Sequence, residues 1–269
     1  MNRLIKNPII IILLFLTGFI ILNTFRNQLM QVFVVEGKIA ISTKYFTITV
    51  FNILYALVSL FFIKKYKLIS FAGLGKQKFK NWFLLLFPFY ILLLNWPEPS
   101  TIDYSNISTM NYIAVLVWSI SVGLSEELML RGFIQSLFLK KFATTKKRLV
   151  LSVLSAAFIF GILHLVKFDK GIYGEITQVL YATFIATMFG ALLLRTHKIW
   201  PLIILHALID FVGNLEKFQV TETTIKLTPK EPQELGDSII IVLALLPCFI
   251  YGLLLLGKVK IDDIQKRAN

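Results

Sequence analysis

The chain has 269 residues, of which 57% are hydrophobic and only 16% charged, with a mean hydropathy of +0.75. Soluble globular chains are about 45–50% apolar and about 25% charged, so the excess has no place in one soluble core. A soluble enzyme, a disordered chain and, with Cys248 as the single cysteine, a disulfide scaffold are excluded. The net charge of +13 is therefore read against a membrane, where basic loops mark the cytoplasmic side.

Crossing a bilayer takes roughly 17–25 apolar residues. Apolar runs near that length lie at 8–22, 46–63, 82–96, 112–138, 149–166, 175–194, 200–215 and 238–257. They predict an all-α polytopic membrane helix bundle of about eight transmembrane helices. Arg3 and Lys6 precede the first run, but Asn23-Thr24-Phe25-Arg26 offers no small-residue cleavage site. A retained anchor is expected rather than a signal peptide. With the N-terminus inside, 19 of the 28 basic residues fall on the cytoplasmic side and 8 outside, with Arg131 in a span. Both termini are then cytoplasmic, and nucleic acid is not expected as a partner.

By spans, residues 1–111 hold three N-terminal helices and 112–214 a four-span core. Residues 215–269 hold an outside loop, the last helix and a cytoplasmic tail. The segments 97–111 and 216–237 read as outside connections, the second a solvated loop rather than a folded domain. In the sixth run Ala182, Ala186 and Gly190 form a small-residue seam for close helix packing.

Ionisable groups inside spans cost about 2.5–3.5 kcal/mol on insertion scales and point to function by default. Six stand out: Glu126, Glu127, Arg131, His164, His206 and Asp210. On an α-helix Arg131 lies about 40° from Glu127, one turn along, and about 140° from Glu126. Glu127 and Arg131 can neutralise each other. Glu126 faces elsewhere, away from Arg131, and is a candidate general base. Phe160 precedes His164 by one turn, with Gly161 permitting close backbone approach. His206 and Asp210 share a face at i,i+4, with Asn214 one turn on. Two of the three histidines thus sit in apolar spans, one with an acidic residue beside it and with a Glu pair on another run.

Two chemistries fit these residues. One is a metal site, with zinc held by Glu and His and acidifying a bound water. The other is metal-free hydrolysis, with Glu126 deprotonating water and histidines donating to an oxyanion. The His-Glu-x-x-His zinc-protease pattern is absent.

Glu126-Glu127-x-x-x-Arg131, then Phe160-x-x-x-His164, then His206-x-x-x-Asp210, in order on separate runs, resemble the CPBP (CAAX protease and bacteriocin-processing, or ABI) family. That family includes the type II CAAX prenyl endopeptidases. Phe189-Gly190-Ala191-Leu192 and Thr196-His197-Lys198-Ile199-Trp200-Pro201 resemble its stretch before the last motif. The resemblance covers residues 112–214 and implies an intramembrane endopeptidase cleaving a membrane-associated peptide or protein. By match, Glu126 would activate water, Glu127 and Arg131 would shape their helix, and His164 would assist at the water or bind a metal. His206 and Asp210 would stabilise the oxyanion. Asp210 departs from the Asn of the prenyl endopeptidases, and Asn214 is a substitute donor.

No cofactor is fixed, zinc stays open, and oligomeric state is not readable. The resemblance and composition suggest a multi-pass protein of a bacterial plasma membrane, with bacteriocin or pheromone processing or immunity among the roles. An idle family member acting as a binding protein is the alternative. A proton-relaying transporter lacks the repeat symmetry and broken helices expected of it.

Overall fold

The computed structural model describes residues 7–97, 108–166, 168–215, 224–226 and 231–267. The chain is an all-α polytopic membrane helix bundle. Its helices are α1 (Pro8–Gln31), α2 (Ile41–Lys65), α3 (Phe89–Leu94), α4 (Thr109–Glu127), α5 (Ser136–Phe142), α6 (Lys146–Leu163), α7 (Gly171–Thr196), α8 (Trp200–Val212), α9 (Leu235–Gly257) and α10 (Ile261–Gln265). Six apolar stretches are helices long enough to cross a membrane: 8–31, 41–65, 109–142, 146–166, 171–196 and 235–257. The other two runs form shorter helical stretches, Trp82–Leu94 and Trp200–Val212. At about 1.5 Å per residue neither spans about 30 Å of hydrocarbon unaided.

Local signals explain several ends. Asn7 caps α1 by accepting from the Ile9 amide, with Pro8 in the first turn, where its missing N–H costs nothing. Thr145 caps α6 through the Arg148 amide. Between α4 and α5, Leu128–Gln135 winds as a π-helix, so 109–142 is one helix with a widened segment. The Ser136 hydroxyl donates to the Arg131 carbonyl there (2.7 Å). π-turns are rare and frequently mark functional sites.

The described chain divides into two compact units that interleave along the sequence. The first comprises residues 1–58, 87–126 and 203–228. Its core joins Ile41, Tyr45, Ala114 and Val115, with Trp118 and Phe211 packed against them. The Asn52 amide donates to the Ser121 hydroxyl (3.0 Å), tying α2 to α4 without leaving a buried polar group unmet. Strands β1 (Lys38–Ala40) and β2 (Thr224–Lys226) pair antiparallel, Lys38 opposite Lys226. The expected loop 216–237 therefore contains a short strand; 216–223 and 227–230 lie outside the described residues, as do 98–107 of the loop 97–111.

The second unit comprises 59–86, 127–202 and 229–269. Here α7 is the central helix, with 14 buried residues, flanked by α6 and α9. The predicted seam is buried at Ala182, Ala186 and Gly190, and the Gln135 amide donates to the Gly190 carbonyl (3.2 Å). Gly252 of α9 lies against the α7 backbone; a Cβ there would sit 2.9 Å from the Met188 nitrogen. Small residues at these crossings let backbones approach where lipid provides no hydrophobic drive.

Candidate active site

The six predicted residues fall into two groups. Glu126, His206 and Asp210 belong to the first unit, and Glu127, Arg131 and His164 to the second. Glu126 and Glu127 are chain neighbours with opposite environments. Glu127 is wholly buried at 0% exposure, whereas the Glu126 side chain is 30% exposed.

In the first unit His206 of α8 faces α4. Its Nε2 lies 3.5 Å from Glu126 Oε2 and 3.8 Å from Asp210 Oδ2. Two facing carboxylate oxygens favour the tautomer with its hydrogen on Nε2. Both separations exceed an ordinary hydrogen bond, as catalytic contacts without substrate often do. Asp210 reaches back to the histidine one turn before it, while the Asn214 amide donates to the Asp210 carbonyl (2.6 Å). Asn214 is thus engaged with its own helix.

Gly123 sets the approach of α8 to α4. A Cβ on it would lie 2.6 Å from the Ile203 carbonyl oxygen and 3.0 Å from the Ala207 nitrogen, next to His206. Sequence reasoning missed Gly123; its signal was a glycine one turn before the Glu pair. Gly123→Ala is expected to push the α8 backbone away and lengthen the Glu126–His206 separation. Overpacking of this kind costs about 1–3 kcal/mol. Turnover should therefore fall more than thermal stability does, a comparison of rate and unfolding midpoint that checks the assignment.

In the second unit Arg131 Nη1 donates to Glu127 Oε1 at 2.9 Å, the predicted i,i+4 pair. The guanidinium carbon lies 5.4 Å from the ring centroids of both Phe160 and Phe189, an aromatic clamp on a cation that is 2% exposed. Such contacts strengthen as water is excluded. Phe189 was noted within the family-like stretch but not as a partner of Arg131. The Phe160 ring meets His164 edge-to-face at 4.7 Å, and His164 Nδ1 lies 2.9 Å from the Phe160 carbonyl. A carbonyl can only accept, so Nδ1 carries the hydrogen and Nε2 of the neutral ring presents a lone pair. His164 stands where α6 tightens into a 3₁₀ turn, and Gly161 brings α6 onto α7, its Cβ position 2.6 Å from the Val179 carbonyl.

The fit to a metal can be judged on these donors. Among the described residues no three His, Cys, Asp or Glu side chains group as a metal shell. Glu126 Oε2 and Asp210 Oδ2 both face the Nε2 edge of His206. As they stand, the described residues here do not form a ligand set.

Comparison with known proteins bears on the middle of the chain. Residues 108–212 match the family model described as type II CAAX prenyl endopeptidase Rce1-like. No curated protein and no solved structure matches the chain. The matched segment starts at the foot of α4 and ends with α8, enclosing all three motifs and both clusters. Residues 108–212 of this multi-pass membrane protein are thus similar to the type II CAAX prenyl endopeptidases, a family of membrane-embedded peptidases.

Proposed function

We propose that the chain is an intramembrane endopeptidase that hydrolyses a peptide bond of a membrane-associated peptide or protein, with Glu126 as general base. The observation that carries this reading is the contrast between the two glutamates. Glu127 is sealed with Arg131, while Glu126 is partly open and faces a histidine N–H. A reacting water needs the second environment, not the first.

The Glu126 carboxylate takes a proton from water as the oxygen attacks the scissile carbonyl carbon. The carbonyl π-electrons move to oxygen, and the His206 Nε2–H donates to that oxyanion. Collapse re-forms the carbonyl and breaks the C–N bond, and the proton held by Glu126 goes to the leaving nitrogen. The products are a new carboxyl terminus and a new amine. Asp210 works as a carboxylate, orienting His206. His164, in the second unit, presents its Nε2 lone pair as an acceptor.

Asp210→Asn discriminates between the two roles open to this residue. As a carboxylate beside His206 its loss should slow turnover by about tenfold or more, a barrier change of about 1.4 kcal/mol. An oxyanion donor would instead keep or raise activity as Asn, because Asn donates in its only state. The test is cleavage of a membrane-anchored peptide library by purified protein, with and without chelator. Cleavage insensitive to chelator supports the side-chain mechanism; loss on chelation that zinc restores overturns it.

We also infer that both termini face the cytoplasm, from the 19 to 8 distribution of basic residues that follows when the two shorter helical stretches, with their flanking chain, also carry the chain across. Reporter fusions at Asn269 and within loop 216–237 should report opposite sides. The same side for both would contradict this orientation.

A further inference from the structure

In the second unit, the C-terminal ends of α7 and α9 meet α10 in a cluster of cations that the proposed chemistry does not use. The carbonyls ending α7 are thoroughly capped. That of Leu193 accepts from the His197 amide, Leu194 from Arg267 Nη2 (3.1 Å), Arg195 from the Asn81 amide (2.9 Å) and Thr196 from the Lys80 backbone N–H. On α9, the Lys258 carbonyl accepts from Arg195 Nη1 (2.9 Å), and those of Leu256 and Val259 accept from the Lys146 ammonium. Cations at helix C-termini are favourable, and this accounts for one N–H of each arginine.

It does not account for the rest. Arg195 Nε and Arg267 Nη1 are both buried and have no hydrogen-bond partner. An unmet buried donor is costly, more so when charged. Two donors on separate guanidinium groups, unmet at the same end of the same helices, call for an acceptor. Arg195, Arg267 and Lys80 all lie within electrostatic reach of His197, with Asp263 the acid opposing them. Lys146 in turn lies within reach of Arg195. Burial first, then Arg267 and Lys80, holds the His197 imidazole down to about 4 from its usual 6.5, with Asp263 acting against them and Arg195 adding to them. The imidazole is thus neutral near pH 7, and the positive potential comes from the arginines and lysines. Arg267 is itself pushed below its usual range by burial, partly offset by Asp263.

We propose that Arg195 and Arg267, with Lys80 beside them, bind the phosphate of an anionic phospholipid headgroup at this end of α7. A phosphate oxygen is the acceptor that guanidinium forks fit best. Place selects the lipid: α7 and α9 are 26 and 23 apolar-rich residues long, so their ends lie at headgroup level. Basic clusters at such a level attract anionic lipid.

The test uses the full chain purified in detergent, exposed to phosphatidylcholine vesicles with or without phosphatidylglycerol, and examined by native mass spectrometry and thermal unfolding. The wild-type chain should retain phosphatidylglycerol over phosphatidylcholine and unfold at a higher temperature with it. Arg195→Gln with Arg267→Gln should lower that retention about tenfold or more. Lys64→Gln with Lys147→Gln, which removes two exposed charges elsewhere, should leave it unchanged. Equal retention of the two lipids by wild type, or equal loss in both double variants, would overturn the site in favour of diffuse charge. If the arginine pair fails to fold, Arg195→Lys with Arg267→Lys keeps the charge without the fork, and retention undiminished there overturns the proposal too. A stabilisation by inorganic phosphate that matches phosphatidylglycerol and vanishes in the arginine variants would uphold the phosphate chemistry but overturn lipid as its source.

Discussion

Glu126→Gln should reduce peptide cleavage by about a thousandfold, within the range that a general acid–base contributes, while folded yield and unfolding temperature stay near those of the wild-type chain. The substitution keeps the shape and polarity of the side chain and removes only its capacity to take a proton. Its neighbourhood tolerates the loss of charge because the side chain is partly open and its histidine partner keeps Asp210 within 3.8 Å. Substrate capture should survive, since the base is needed for charge movement in the transition state. A single-turnover assay alongside a binding measurement separates the two effects. A variant that folds poorly and binds nothing would place Glu126 in the architecture instead.

The opposite pattern is expected one residue on. Glu127→Gln leaves the Arg131 guanidinium buried between Phe160 and Phe189 without its carboxylate. Breaking a buried ion pair by removing one partner typically costs about 3–5 kcal/mol, a large share of the roughly 5–15 kcal/mol that holds a domain folded. Thermal unfolding in detergent should show a marked fall in midpoint. Arg131→Met with Glu127→Gln should recover part of it, because the buried charge is then gone as well. Activity in Glu127→Gln should fall with the folded fraction. Through Phe160, whose ring touches both the Arg131 guanidinium and His164, the pair also steadies the second histidine. Equal losses of stability in Glu126→Gln and Glu127→Gln would contradict the division of roles.

The division was legible in the sequence because both geometric premises were simple. An i,i+4 relation predicted the Glu127–Arg131 pair, and the same arithmetic turned Glu126 away from Arg131. The pair forms at 2.9 Å even though Leu128–Gln135 winds as a π-helix, which α-helical angles do not describe. Nothing in a local apolar pattern signals a π-turn, since it depends on what the helix packs against. The run 200–215 reads as a full span in the sequence. It is instead a helix of 13 residues, Trp200–Val212, and its His206 meets Glu126 because Gly123 lets the α8 backbone close in.

The long runs were read with less difficulty than the short ones. The run at 8–22 continues as helix to Gln31 through Asn23 and Arg26, since Asn23 and Thr24 donate to carbonyls one turn back and carry the polar residues along. The run at 82–96 shows no such continuity: Pro88 interrupts it, leaving a 3₁₀ turn and the six residues of α3. The partners at 160 and 189 illustrate a different limit. Apolar residues in an apolar span carry no mark of which one will lie over a cation, so only the family-like stretch around Phe189 drew attention to it.

Hydrolysis by a water that Glu126 activates is tested most directly by isotope. Purified chain is given a membrane-anchored peptide library in water enriched in oxygen-18, under single-turnover conditions, and the product termini are read by mass spectrometry. One labelled oxygen in each new carboxyl terminus is predicted for the wild-type chain, with no labelled product from Glu126→Gln over the same interval. Labelled product from Glu126→Gln at the wild-type rate, or an intact library after exposure to folded wild-type chain, would contradict the account.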